Sequence, residues 1–330
     1  MPHSNPLTRR AVLVAAAGAT LPFACPAANS PAAWPDHPIR MIIPFASGGG
    51  TDVIGRAIGA GLSAQLGQPI FIDNKGGAGG NIGYDAVAKA PADGYTLMLM
   101  TMAFATNAAS GRKFSFDPMK DFVPIGQIGS TPLAIVVSRD SPVKTLRELI
   151  ELARATPNGV SYGSNGPGSM SHLGAELLAA EAKVQMLHVP YKGISQALTD
   201  LMAGRVTMAV TSFAATSSLV KGGRLRCLAV TSTKRTSAEP DVPTTTEAGL
   251  PGFKIDFWYG LMAPAQLPTA LVKRLNDELN ITLARAELRE MLASEAGVPM
   301  PGTPEQFSKL LSFEVTRWGK LIKDANISFE

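Results

Sequence analysis

Residues 39–54 read IRMIIPFASGGGTDVI and join an apolar strand to a helix through a turn of small residues. Residues 39–45 form the predicted strand, because the run is almost wholly apolar. Residues 51–66 form the predicted helix, since Ile54, Ile58 and Leu62 recur on one face at helical spacing and Gly67 follows the last turn. A buried strand that leads directly into an amphipathic helix is the repeating unit of α/β folds.

The rest of the chain continues this alternation of strands and helices. Residues 107–129 are predicted to be irregular. Further strands are predicted at 69–74, 96–101, 133–138, 160–163, 185–189, 206–210 and 225–232, and further helices at 81–90, 146–155, 169–182, 195–203, 268–284, 286–293 and 304–325. This order builds mostly parallel sheets flanked by helices, so the predicted fold class is α/β.

The first 33 residues have the composition of a bacterial export signal. Arg9 and Arg10 precede an apolar run at 11–24, and an Ala/Pro-rich stretch follows to residue 33. The paired arginines favour the twin-arginine route, and the general secretory route is the alternative. Lipidation at Cys25 fits poorly, because Pro22 lies three positions upstream. We therefore expect a processed protein in the periplasm.

The remaining residues 34–330 are enough for two domains. Removing Arg9 and Arg10 from the 30 Lys+Arg leaves 28 against 26 Asp+Glu, and this near-neutrality argues against a nucleic-acid partner. Cys227 alone survives processing, so no disulfide within the chain is expected and a buried thiol is predicted. The histidines lack metal-ligand spacing, and we expect no metal.

Two glycine-rich turns, residues 45–52 (FASGGGTD) and 162–172 (YGSNGPGSMSH), each follow a strand and open a helix. Backbone N–H groups at helix N-termini attract anions, and ligands of open α/β sheets bind at the carboxyl ends of strands. The two turns are therefore predicted to face one anionic ligand across a cleft. The alternative is that each turn merely caps its own helix.

Neither turn matches a nucleotide-binding fingerprint. The chain has no G-x-x-x-x-G-K-[ST], the second turn places Ser171 where G-x-G-x-x-G needs glycine, and residues 76–80 (GGAGG) also fail that spacing. We expect no cofactor. A secreted hydrolase is the rival enzyme class, because residues 159–163 (GVSYG) match G-x-S-x-G. However, Ser161 lies inside a predicted strand, whereas the serine of a nucleophile elbow lies on the sharp turn that follows a strand.

Six blocks of sequence resemble the Bug (TctC-like) family of solute receptors, in that family's order. They are 34–40 (WPDHPIR), 44–52 (PFASGGGTD), 73–83 (DNKGGAGGNIG), 88–97 (AKAPADGYTL), 189–193 (VPYKG) and 229–232 (AVTS). The likeness covers residues 34–330. It implies a non-catalytic receptor with the two-lobed fold of a type II-like periplasmic binding protein, in which crossing strands join the lobes.

The resemblance also implies how the receptor is divided and what it meets. The first lobe is expected at 34–125 and 233–330 and the second at 126–232, with strand 225–232 returning the chain to the first lobe. Such receptors bind small carboxylates and serve the integral-membrane subunits of tripartite tricarboxylate transporters. We expect a monomer. A receptor that feeds a sensor protein instead of a transporter is the alternative.

Carried onto matching positions, the resemblance assigns residues of both turns to the ligand. Asp52 beside a carboxylate is unfavourable, so we expect it to cap the helix or order water. We expect His172 to pack or brace its turn. The first turn would contribute Ala46, Ser47, Gly49, Thr51 and Asp52, and the second Ser164, Asn165, Gly168 and Ser169.

Side chains at the ends of other predicted strands suggest the kind of acid. Many relatives carry aspartates at the positions of Thr207 and Thr211, and their absence disfavours amino acids. Four aromatic residues, Phe45, Phe104, Tyr191 and Phe213, could line the cleft, which favours a dicarboxylic or aromatic acid. The alternative is that these aromatic residues belong to the core.

Overall fold

The computed structural model describes Met1 and residues 34–48, 50–294 and 296–327. The predicted export signal lies outside these residues. Within the described chain the strands are β1 (Ile39–Ile43), β2 (Ile70–Asn74), β3 (Thr96–Thr101), β4 (Phe122–Ser138), β5 (Ser161–Ser164), β6 (Leu187–Pro190), β7 (Met208–Ser212), β8 (Leu225–Val230), β9 (Asp256–Pro264) and β10 (Val298–Pro299).

Helices alternate with most of these strands. A single 3₁₀ turn, Ala78–Gly80, follows β2. The helices are α1 (Gly50–Leu66), α2 (Asn81–Ala88), α3 (Met102–Ala109), α4 (Leu146–Ala155), α5 (Met170–Ala182), α6 (Ile194–Met202), α7 (Phe213–Lys221), α8 (Thr269–Leu283), α9 (Ala286–Ser294) and α10 (Pro304–Asp324). None of those described is both long and apolar enough to cross a bilayer.

The first half of the molecule is a sheet in the order β2-β1-β3-β9-β4, with β10 paired to β4. Strands β1, β2 and β3 are parallel, and Met41 lies opposite both Ile72 and Leu97. Strand β9 runs antiparallel to β3 and β4. Helices α1 and α8 cover one face of this sheet, where Ile58 and Leu279 are fully buried in a continuous core.

The second half continues from β4 in the order β7-β5-β6, and β8 also pairs with β4. Strands β5, β6 and β7 are parallel to one another, while β4 is antiparallel to β7. The 17 residues of β4 therefore serve both halves: residues 122–132 pair with β9, and residues 133–138 pair with β7 and β8. Strand β4 is the continuous link between the two sheets.

The predicted elements differ from the structure in several places. Of residues 107–129, which were predicted to be irregular, 110–121 have no helix or strand, but 107–109 end α3 and 122–129 begin β4. Pro124, Gly126 and Gly129 lie where the pairing of β4 with β9 shifts register, and such bulges accommodate proline and glycine. The predictions also omitted α3, α7, β9 and the short strand β10.

The return of the chain to the first half also differs from the prediction. Strand β8 pairs with Ala134–Ser138 of β4, within the second sheet. Residues 231–255 then connect it to β9, which pairs with β3 and β4 of the first sheet. The connection between the halves is therefore made after β8 rather than by it.

Candidate functional site

A cavity of about 440 Å³ lies between the two halves. Its wall takes residues from both halves, including one from β9 of the first sheet. Phe45, Thr51, Gly79, Thr101, Ala103, Thr106, Asn107 and Arg112 come from the first half, Asn165, Pro167, Gly168, Ser169 and Met170 from the second, and Phe257 from β9.

The first turn, between β1 and α1, is held in shape by a buried carboxylate. Asp52 is 4% exposed, and its Oδ2 accepts hydrogen bonds from the Gly48 N–H (2.9 Å) and from Arg56 Nε (3.0 Å). Its Oδ1 accepts from Asn74 Nδ2 at 3.0 Å, and the same amide donates to the Phe45 carbonyl. The Gly48 N–H, and then Arg56, lower the pKa of Asp52 to about 2. Asp52 thus stabilises the conformation of the turn without lining the cavity.

Helix α3 brings a second helix N-terminus to the cavity wall. Thr101 caps it by accepting a hydrogen bond from the Ala103 N–H at 3.3 Å, and both residues line the cavity. Asn107, one turn further along, donates to the Gly79 carbonyl at 2.9 Å. This bond fixes the glycine-rich 3₁₀ turn against α3, so Gly79 joins the wall.

Hydrogen bonds from its own hydroxyl groups fix the conformation of the second turn, between β5 and α5. Ser169 caps α5: its Oγ accepts from the His172 N–H (3.3 Å) and donates to the Gly166 carbonyl (2.6 Å). The Asn165 N–H donates to Ser171 Oγ at 2.9 Å. Gly166 and Gly168 have φ of 105° and 70°, which glycine adopts without strain. The cap leaves Asn165, Gly168 and Ser169 in the cavity wall.

Two stacked imidazoles support this turn from the protein interior. His172 and His188 lie 3.9 Å apart between ring centroids, and the Gly168 N–H donates to His172 Nδ1 at 3.0 Å. Burial, and then His188, lower the pKa of His172 to about 4, and burial lowers the pKa of His188. His172 is therefore a neutral acceptor near pH 7 and braces Gly168, the role expected from the sequence.

Few charged side chains line the described part of the cavity wall. Arg112 is the one ionisable side chain among the described residues of the wall, and none of those residues is acidic. Three helices, α1, α3 and α5, begin at the wall, and the N-terminus of a helix carries a partial positive charge. The cavity as a whole therefore favours an anion.

The structure places the residues predicted to bind ligand in three groups. Phe45, Thr51, Asn165, Gly168 and Ser169 line the cavity. Asp52 and Ser164 are buried behind the two turns, and Ala46 and Ser47 are exposed in the first turn but outside the wall. Gly49 lies outside the described residues.

The other aromatic residues predicted for the cleft lie elsewhere. Phe213 is 1% exposed in the core of the second half, and Tyr191 packs against that core while its hydroxyl donates to Asp200. Phe104 is buried edge-on against Tyr84. For these three, the structure agrees with the core alternative.

Thr207 and Thr211 are also outside the wall. The Thr207 N–H donates to Ser161 Oγ at 3.2 Å, while Thr211 is 7% exposed. Their positions therefore do not support the argument that disfavoured amino acids.

Sequence reasoning missed more than half of the wall. A repeated glycine pattern could have pointed to Gly79, and Thr101 is the last residue of a correctly predicted strand. No sequence pattern pointed to Arg112, which lies in a loop, or to Phe257, which lies in a strand that was not predicted. The residues missed are Gly79, Thr101, Ala103, Thr106, Asn107, Arg112, Pro167, Met170 and Phe257.

Known proteins resemble this chain along nearly its whole length. A family model for the tripartite tricarboxylate transporter family receptor (TctC) matches residues 54–327. The UPF0065 protein of the tcbD-tcbE intergenic region of Pseudomonas sp. (strain P51) is 38% identical over 297 residues, which are 90% of this chain and 88% of that protein. BugT of Bordetella pertussis is 33% identical over 315 residues, 95% of each.

Solved structures agree in fold. A Rhodopseudomonas palustris protein with adipate has a TM-score of 0.76 and 36% identity, and the match covers 89% of this chain and 99% of that one. MatC from the same organism, with bound malate, has a TM-score of 0.73 and 30% identity, with coverage of 87% and 99%. These matches confirm the predicted two-lobed α/β binding-protein fold and the resemblance read from the sequence. The chain belongs to the tripartite tricarboxylate transporter receptor (TctC) family of solute-binding proteins.

Proposed function

We propose that this chain is a periplasmic receptor that captures a small carboxylate between its two halves. It then delivers the acid to the integral-membrane subunits of a tripartite tricarboxylate-type transporter. The observation that carries the proposal is the convergence of three helix N-termini, from both halves, on one cavity whose described wall has no acidic side chain.

Several weak interactions with the carboxylate add up in such a site. A helix N-terminus stabilises a negative charge by about 0.3–1 kcal/mol where it is exposed, and more where water is excluded. The first turn and α3 would contact the acid from one side and the second turn from the other. A ligand that touches both halves favours the state in which they approach, because it makes those contacts only there.

The class of acid is proposed from the wall and from the relatives. Phe45 and Phe257 supply apolar surface, which suits the carbon chain or ring of a dicarboxylic or aromatic acid. The relatives solved with adipate and with malate hold dicarboxylic acids. We therefore favour a dicarboxylate or an aromatic carboxylate, bound by a monomer without metal or cofactor.

A hydrolase is the alternative function, because the structure places Ser164 Oγ within hydrogen-bond distance, 2.6 Å, of His188 Nε2. Ser164 is fully buried and does not line the cavity, so a substrate has no route to its hydroxyl. The Ser161 hydroxyl pairs with Thr207 instead of an imidazole. Ser164 therefore lacks access to substrate, and Ser161 lacks the adjacent base that a nucleophile requires.

Isothermal calorimetry with a panel of small molecules tests the proposal. The panel contains dicarboxylic, aromatic and short aliphatic acids, each beside the matching primary amide, and several cationic amines. We expect acids to bind and their amides to bind far more weakly, because an amide lacks the charge that the helix N-termini favour. Preference for the amides or the amines contradicts a carboxylate receptor. Uptake of the bound acid that requires both this chain and a membrane permease separates transport from delivery to a sensor.

A further inference from the structure

A second cavity, of about 220 Å³, lies where strand β4 changes its partners, and we call it the junction cavity. Asp256 of β9, in its wall, pairs with Pro132, whereas the next residue of β4, Leu133, pairs with β7 of the second sheet. Thr231, also in the wall, donates its N–H to the Leu133 carbonyl at 3.0 Å and accepts from the Leu133 N–H through Oγ1 at 2.8 Å. The wall therefore contains residues from both sides of the junction, and a movement of the halves changes its shape.

Two carboxyl groups lie in the wall of the junction cavity. Asp256 comes from β9, and Glu314, which is 4% exposed, comes from α10. Glu314 Oε2 accepts hydrogen bonds from Trp318 Nε1 at 2.6 Å and from Arg317 Nη2 at 2.9 Å. Asp256 Oδ1, in contrast, is buried and has no hydrogen-bond partner in the part of the chain that the structure describes. A negative charge is therefore less well compensated on Asp256 than on Glu314.

Two basic residues accompany these acids. Lys254 and Arg317 are the other ionisable residues in the described part of the wall, and Arg317 Nη1 donates to the Lys254 carbonyl at 2.7 Å. Burial, and then the Glu314 carboxylate, raise the pKa of Asp256 to about 6, while Arg317 opposes this rise. Burial also raises the pKa of Glu314. Two ionised carboxylates are thus unfavourable in this cavity, and one bound proton removes the repulsion between them.

We propose that Asp256 and Glu314 form a proton-binding pair that couples pH to the arrangement of the two halves. In the arrangement described here, both halves line the carboxylate cavity and Asp256 Oδ1 is buried, so a neutral Asp256 stabilises it. Ionised Asp256 favours arrangements in which bending of β4 between residues 132 and 133 lets water reach the carboxylate. Acidification from pH 8 to pH 5 therefore strengthens the capture of an acid that contacts both halves. This effect on the ligand rests on the proposed function, whereas the proton site does not.

Urea unfolding of wild type, Asp256→Asn and Asp85→Asn tests the proton site. Because the pKa of folded Asp256 lies above its ordinary value of 3.8, its charge opposes folding increasingly as the pH rises from about 4 to about 6, and fully above that. We expect the advantage of Asp256→Asn over wild type in the folding equilibrium constant to grow about tenfold between pH 5 and pH 8. Asp85→Asn should show no such growth, since hydrogen bonds from Lys89 and others lower the pKa of Asp85 and keep it ionised throughout.

Calorimetry with adipate tests the coupling to the halves. The ratio of affinities between two proteins at one pH cancels the titration of adipate and of His172 and His188. We expect Asp256→Asn to bind adipate about fivefold more tightly than wild type at pH 8 and equally at pH 5, because only part of the charge effect depends on the arrangement. Wild type should take up protons on binding at pH 7, seen when the measured heat varies with the ionisation enthalpy of the buffer. Asp85→Asn should match wild type at both pH values.

Each contrary outcome overturns a distinct claim. If the advantage of Asp256→Asn in unfolding is the same at pH 5 and pH 8, the pair is not a proton site in this range. If that advantage grows but the adipate affinity ratio stays constant, the pair does not act on the halves, and the carboxylate receptor still stands. Failure of adipate and every other acid to bind wild type removes the proposed function and the coupling together. If adipate alone fails, an acid that binds replaces it, and if Asp256→Asn does not fold, absence of proton uptake by wild type contradicts the coupling.

Discussion

Among single residues, Asp52 separates two views of how the site attracts anions. Simple charge counting predicts that removing a carboxylate near the cavity tightens the binding of an acid. The structure predicts the opposite, because Asp52 holds the Gly48 N–H and Asn74 and so fixes the first turn. We expect Asp52→Asn to weaken carboxylate binding by about tenfold, the value of one charged hydrogen bond.

The control for Asp52→Asn is Asp85→Asn, which removes the same charge from a surface ion pair with Lys89. We expect its affinity to match wild type in calorimetry at pH 7. Because the pKa of Asp52 in the folded protein is about 2, below its ordinary value of 3.8, its stabilising effect is complete at pH 7. That effect is lost only as the pH falls from about 4 towards 2. Tighter binding by Asp52→Asn would support charge counting.

At the residue scale, the alternation of strands and helices in the sequence predicted those parts of the site that lie at the ends of strands. Thr51 and Gly168 follow correctly predicted strands, and parallel strands bring their carboxyl ends to one edge. Phe213 also follows a strand, but its side chain turns into the core, and sequence order does not fix that direction. Arg112 could not be predicted, since a loop has no periodicity that places its side chains.

At the scale of elements, the caps of α4 and α5 offer a matched pair. Thr145 accepts from the Glu148 N–H at 3.2 Å, and Ser169 accepts from the His172 N–H at 3.3 Å. We expect Thr145→Ala and Ser169→Ala each to lower the free energy of unfolding by about 1 kcal/mol, as loss of an N-cap does. Only Ser169→Ala should also weaken carboxylate binding, because only that cap lies in the cavity wall.

Urea unfolding and calorimetry on the two variants measure these effects separately. If both variants lose stability and both keep wild-type affinity, the second turn acts only as a helix cap. Loss of affinity in Thr145→Ala would instead indicate that general destabilisation weakens binding.

Helices with strong periodicity were easier to predict than strand β9. Residues 146–155 were predicted as a helix, and α4 has those bounds. Strand β9 contains Gly260, and glycine inside a strand suggests a break. In the fold, a Cβ at that position would lie 2.0 Å from the Phe307 ring, so the glycine makes room for α10 to pack. Such a packing requirement comes from a residue distant in sequence and is invisible locally.

For the whole molecule, the two-lobed α/β fold followed from the alternation of elements and the family resemblance, whereas the path between the halves did not. The connection depends on β4, whose 17 residues pair with different partners along their length. We expect one half to move relative to the other by bending of β4 where its partners change, between residues 132 and 133. The lobe boundaries predicted at 125/126 and 232/233 are a further hypothesis about where that motion divides the chain.

Closure of the halves around the ligand is the prediction at this scale, and Gly168 tests it against a matched glycine. Gly168 and Gly204 have φ of 70° and 72°, so alanine at either position carries a similar backbone cost of about 1–2 kcal/mol. Gly168 lines the cavity, and a Cβ at Gly204 meets no atom within 4 Å. We expect a saturating dicarboxylate to reduce the radius of gyration of wild type and Gly204→Ala, measured by X-ray scattering. Gly168→Ala, at the same ligand concentration, should stay at the ligand-free value, because the second turn no longer presents its N–H groups correctly. A radius that does not change in wild type, despite binding seen by calorimetry, would mean that the cavity accepts its ligand without closure.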